Sequence, residues 1–123
     1  MNDEELFHVL ALLQVEGVGD VTSKKLLAHF GSATSVFKAK TSQLASIDGI
    51  GSVLLKNLKN KSVFEKAESE MKFINANTIN VSYFLDDNYP ERLKHCIDGP
   101  VLLFSSGNID FQNRKTISIV GTR

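Results

Sequence analysis

Two five-residue stretches, Val15-Glu16-Gly17-Val18-Gly19 and Ile47-Asp48-Gly49-Ile50-Gly51, repeat one pattern, apolar-acid-Gly-apolar-Gly, at an offset of 32 residues. Apolar residues at helical spacing precede each copy (Leu6, Val9, Leu10 and Leu13; Leu44 and Ala45), and another helical stretch follows. The pattern predicts helix, glycine hairpin, helix, twice over. A link of two or three residues between packed helices needs positive φ and close backbone approach, which glycine supplies, while Val18 or Ile50 fills the space beneath the turn. On this expectation Gly19 sits at positive φ, and Gly19→Val destabilises the helical domain.

After the first hairpin, Val21, Leu26, Leu27 and Phe30 form an apolar stripe, small Ser23 permits close helix contact, and Gly31 is placed to end the helix. The second copy carries bulky Leu55 at the position of Ser23 and is the weaker binding motif. Between the hairpins, 33–39 and 42–45 read as short connector helices capped by Ser32 and Thr41. From Ser62 to Ile74, the residues Val63, Phe64, Ala67, Met71 and Ile74 share one side of an amphipathic helix, which Asn75-Ala76-Asn77 ends.

Beyond Thr78 the period changes. Residues 79–85 alternate as a strand, Asp86 to Pro90 turn, and 91–97 supply about one helical turn. Val101 to Phe104 and Thr116 to Val120 read as buried strands of a parallel core. The expected fold is therefore a mainly α N-terminal tandem helix-hairpin-helix (SAM-like) domain, residues 1–76, followed by the first strands of an α/β Rossmann-like domain, residues 77–123. Because a parallel core needs neighbours and covering helices, residues 101–123 are expected to be poorly protected or to pair with another molecule.

Composition narrows the function classes. The chain has 123 residues, 42% hydrophobic and 23% charged, and its apolar runs are too short for a membrane helix, so a cytoplasmic protein is expected. One cysteine, Cys96, excludes an internal disulfide. The zero net charge hides a gradient: residues 1–20 hold Asp3, Glu4, Glu5, Glu16 and Asp20 with no Lys or Arg, whereas residues 21–80 hold nine lysines against four acids. Such a basic segment either attracts polyanions or is a solvated helical surface.

The hairpin pair resembles the tandem helix-hairpin-helix domains of DNA-processing proteins. In that motif hairpin N–H groups and nearby lysines hold a phosphate without reading bases, which points to Gly17, Gly19, Lys24 and Lys25. Tyr89-Pro90-Glu91-Arg92-Leu93, then Asp98-Gly99-Pro100-Val101-Leu102-Leu103-Phe104 with Gly107, then Ile117 to Arg123, resembles the start of the Rossmann-like domain of the DNA-processing protein A family, DprA or Smf. The resemblance implies a bacterial protein of natural transformation that binds and protects incoming single-stranded DNA and promotes loading of the RecA recombinase, catalysing no reaction and using no cofactor. It also implies a homodimer at full length, and a phosphate pocket that includes Gly121, Thr122 and Arg123. The rest of that pocket is expected beyond residue 123, in a longer protein.

Two other classes stay open on the residues alone. A glycine turn after a strand also begins nucleotide pockets in enzymes of the lysine-decarboxylase-like class, and residues 1–76 also suit a protein-interaction module. Weaker candidates have bland readings. His95-Cys96 lacks the partners of a metal site or a nucleophile, and Cys96 reads as a half-buried side chain beneath a turn. Asp86-Asp87 reads as a solvated turn. Phe104 and Phe111 are of the type that stacks on bases, with Phe104 expected in the core.

Overall fold

The computed structural model describes residues 1–105. The strand expected at 116–120, together with Phe111, Gly121, Thr122 and Arg123, lies outside them. Seven helices and two strands follow one another among the described residues: α1 (Asp3–Gln14), α2 (Asp20–Phe30), α3 (Ala33–Lys38), α4 (Thr41–Ala45), α5 (Ser52–Leu58), α6 (Ser62–Ala76), β1 (Asn80–Tyr83), α7 (Glu91–Lys94) and β2 (Leu102–Ser105).

Helix α1 is the centre of the helical part. Leu6, Val9, Leu10, Ala11 and Leu12 are all buried, more than one face of a helix can supply, because α2, α3 and α6 each pack against it. The α6 stripe forms as its periodicity predicts, with Val63, Ala67 and Ile74 buried and Phe64 and Met71 packed at the margin. Phe7 of α1 stacks on Phe64 of α6 at 5.9 Å between ring centroids, and Phe37 of α3 closes the cluster at 5.0 Å from Phe64.

Helix ends are tied down by side chains. Asn2 Oδ1 accepts from Glu5 N–H at 2.8 Å, and Ser32 Oγ accepts from Ser35 N–H at 3.1 Å, as expected of Ser32. The Glu5 carboxylate reaches across from α1 to accept the Ala33 and Thr34 N–H groups at 2.8 and 3.0 Å, so one acid satisfies two orphan donors of α3. Gly31 takes the left-handed conformation at φ 86° and ends α2. Thr41 does not cap α4: it is the first helical residue, and Gln43 Oε1 instead accepts the Lys40 N–H at 3.0 Å. Helix α6 ends with Ile79 N–H bonded to Ile74 O at 3.1 Å, a closure that holds Thr78 at φ 51°.

Strand β1 pairs antiparallel with β2 in the register Asn80↔Ser105 to Tyr83↔Leu102. Among the described residues the 101–105 segment thus pairs with the preceding strand, returned by the turn and α7. Val101 is fully buried, as expected of a buried strand, and Tyr83, Val101 and Leu102 belong to the same apolar cluster as α1 and α2. Burial, reinforced by the Glu5 and Asp86 carboxylates, pushes the Tyr83 phenol up to about 12, so it stays neutral in this core at physiological pH. Phe104 is half exposed near the end of β2 and Cys96 is exposed in the turn after α7, both against expectation.

Candidate nucleic-acid interface

The two glycine hairpins repeat in detail. Val15 N–H donates to Leu12 O and Ile47 N–H to Leu44 O, both at 3.2 Å; Val18 N–H donates to Val15 O at 3.1 Å and Ile50 N–H to Ile47 O at 3.2 Å. The second helix of each copy opens alike, through Ser23 N–H to Gly19 O at 2.9 Å and Leu55 N–H to Gly51 O at 3.0 Å. Positive φ falls on the first glycine of each pair, 87° at Gly17 and 91° at Gly49. Gly19 and Gly51 are extended, with φ −98° and −89°, and serve as N-caps of α2 and α5. The expectation that Gly19 occupies positive φ is therefore corrected: the reversal is complete by Gly17, and Gly19 already leads into the helix.

Each hairpin is braced by the opposite copy. A Cβ placed on Gly17 would lie 3.2 Å from Leu54 Cδ1 of α5, and one on Gly49 would lie 3.6 Å from Lys25 Nζ of α2. Asn57 of α5, the counterpart of Lys25 at the same offset, donates from Nδ2 to Glu16 O of the first hairpin at 2.9 Å. The two turns thus lie side by side. Among the described residues, the N–H groups of Gly17, Gly19, Gly49 and Gly51 donate to no other protein group, and all four glycines are exposed. Unpaired N–H groups at the start of α2, where the helix dipole is positive, form a surface suited to an anion.

The lysines divide between two tasks. Lys25 is exposed and stands beside Gly49. Lys24 turns the other way: its Nζ lies 3.3 Å from both Cys96 O and Ile97 O and 5.5 Å from the centroid of the Phe84 ring. Four residues earlier on α2, Asp20 Oδ1 accepts the buried Val101 N–H at 2.9 Å, so α2 holds the following segment through an acid and a cation one turn apart. In the second copy Lys56 replaces Lys24 and is exposed, with no side-chain bond among the described residues. The paired hairpins therefore bring together Gly17, Gly19, Lys25, Gly49 and Gly51, with Lys56 exposed on α5. Motif reading missed Lys56, which the offset of 32 from Lys24 assigns directly. Among the described residues no group of His, Cys, Asp and Glu is arranged to hold a metal ion.

Comparison with known proteins follows the same division. A family model described as a SAM-like helix-hairpin-helix tandem matches residues 9–61, and one described as DNA recombination-mediator protein A matches residues 80–123. Protein Smf of Synechocystis sp. is 27% identical over 130 residues, covering the whole chain. Taken together, the two family models and the Smf relative support membership of the DNA recombination-mediator protein A (Smf) family. It spans about a third of the Smf relative, 32% of that protein's length. The UvrABC system protein C of Hyphomonas neptunium is 44% identical over 41 residues, 33% of this chain and 7% of that one. A DNA ligase of Leifsonia xyli is 35% identical over 49 residues, 40% of this chain and 7% of that one. No solved structure matches. Among the described residues no helix is long and apolar enough to cross a membrane.

Proposed function

We propose that this chain belongs to a cytoplasmic, non-enzymatic protein that binds incoming single-stranded DNA in natural transformation, protects it and promotes RecA loading, acting as a homodimer at full length. In this reading residues 1–76 form one unit and residues 77–123 begin the Rossmann-like unit, whose phosphate pocket takes in Gly121, Thr122 and Arg123. The paired hairpins give the helical unit its part: they hold backbone phosphates through the N–H groups of Gly17, Gly19, Gly49 and Gly51, flanked by Lys25 and Lys56. The observation that carries this part is the side-by-side pair of turns with unpaired, exposed N–H groups. Contacts of this kind position a strand without reading its sequence.

A fluorescence-anisotropy titration with labelled oligonucleotides across a salt series tests the reading. Affinity for a single strand is expected to fall with salt at a log–log slope of about −0.7 per phosphate neutralised. Lys25→Glu and Lys56→Glu are each expected to weaken binding and to flatten that slope by about one phosphate contact. Salt-independent binding, or unchanged slopes in both variants, would contradict a phosphate site at the hairpins.

A further inference from the structure

A second basic surface adjoins the hairpins through Lys25, where α2 meets the segment that follows β1. There a cavity of about 400 Å³ opens between α2, Phe84 and the turn after α7. Lys25, Lys94 and His95 line one part of it, and Val21, Phe84 and Ile97 supply an apolar wall. Val21 and Ile97 are 42% and 80% exposed. At the cavity's edge Lys24 uses two of its ammonium donors on Cys96 O and Ile97 O. An ammonium has three, so one remains for a ligand oxygen.

The charge balance favours an anion. Three lysines and no carboxylate are among the lining residues, while Glu91 lies 3.9 Å from Lys94 Nζ and 3.7 Å from His95 Nε2. Both pairs are long, and ion pairs of this kind near the surface contribute little. Apolar and cationic groups in one concavity, of a volume within the range of small-molecule sites, match the two faces of a nucleotide.

We propose that this cavity binds one splayed nucleotide of a single strand, with its phosphate between Lys24, Lys25 and Lys94 and its base against Val21, Phe84 and Ile97. A duplex keeps its bases stacked and paired and offers no base to such a wall, whereas a single strand does. Lys25 borders both this cavity and Gly49, so a strand leaving the hairpins passes directly to it. The proposal rests on the reading that the protein handles single-stranded DNA, and it adds a reason for preferring that form.

The test compares a labelled oligothymidylate of about twelve nucleotides with a duplex of the same length, binding to the intact chain. Lys94→Glu is expected to weaken strand binding about fivefold or more and to leave duplex binding within about twofold. Ile97→Ala, at a side chain outside the core, is expected to weaken strand binding selectively as well. Unchanged strand affinity in both variants, or equal losses on strand and duplex, would overturn the proposal. Lys56→Glu, measured in parallel, reports on the hairpins alone: loss there without loss at Lys94 overturns the cavity and keeps the hairpin site, and the reverse keeps the cavity and overturns the hairpins. Thymidine monophosphate is expected to bind much more weakly than the strand, and equal or tighter binding of the mononucleotide would overturn the single-strand assignment.

Discussion

The two hairpins share a backbone and differ in how their side chains are used. Their turns superpose bond for bond at the offset of 32 residues, down to φ 87° and 91° at the leading glycines. In the first copy Ser23 is fully buried, Asp20 holds Val101 and Lys24 holds the turn after α7. Their counterparts Leu55, Ser52 and Lys56 are half-buried, exposed and exposed. A glycine pattern thus dictates the turn, while the tertiary surroundings decide which side chains remain available to a ligand. The first copy has given much of its surface to the rest of the fold, and the second has kept its own.

The largest expected effect probes what the copies share. Gly17→Val combines a left-handed backbone cost of about 1–2 kcal/mol with crowding against Leu54 of about 1–3 kcal/mol, and should lower stability by about 3 kcal/mol in a denaturant titration. Gly49→Val meets only the flexible end of Lys25 and should cost about half as much. Gly19→Ser, at an extended N-cap with open space for a Cβ, should be neutral or slightly stabilising. A large loss at Gly19 would break the assignment of the reversal to the first glycine.

Next comes the point where the copies diverge. Asp20→Ala leaves the buried Val101 N–H without its acceptor and should cost about 1–3 kcal/mol, whereas Ser52→Ala should change stability by less than about 0.5 kcal/mol. Equal effects would remove the distinction between a docked and a free copy. One effect has the opposite sign. Ser23 Oγ is buried and, among the described residues, has no hydrogen-bond partner, so Ser23→Ala should raise the melting temperature, by the equivalent of about 1 kcal/mol. A fall would mean that the hydroxyl holds something in solution.

Much of this fold is legible in the residues because its signals are local. The glycine pairs, the α6 stripe, Ser32 and Gly31 each act within a turn or two of themselves, and each forms the element its chemistry predicts. What the sequence conceals is long-range. Nothing adjacent to Lys24 announces carbonyl oxygens from residues 96 and 97, and nothing near Val101 announces Asp20 as its acceptor. The antiparallel pairing of β2 is concealed for the same reason, since a short apolar run fits either direction until its neighbour is known. Lys56 is a different case: the repeat itself identifies it once the two copies are aligned residue by residue.

The central claim is that the two hairpins hold one strand together. Backbone amide resonances of the protein, followed during addition of a single-stranded oligonucleotide, test it most directly. The account predicts that the N–H signals of Gly17, Gly19, Gly49 and Gly51 shift along a common binding curve, with the shifts fading as salt is added. Shifts confined to one hairpin, or found elsewhere while all four glycine signals stay in place, would contradict it.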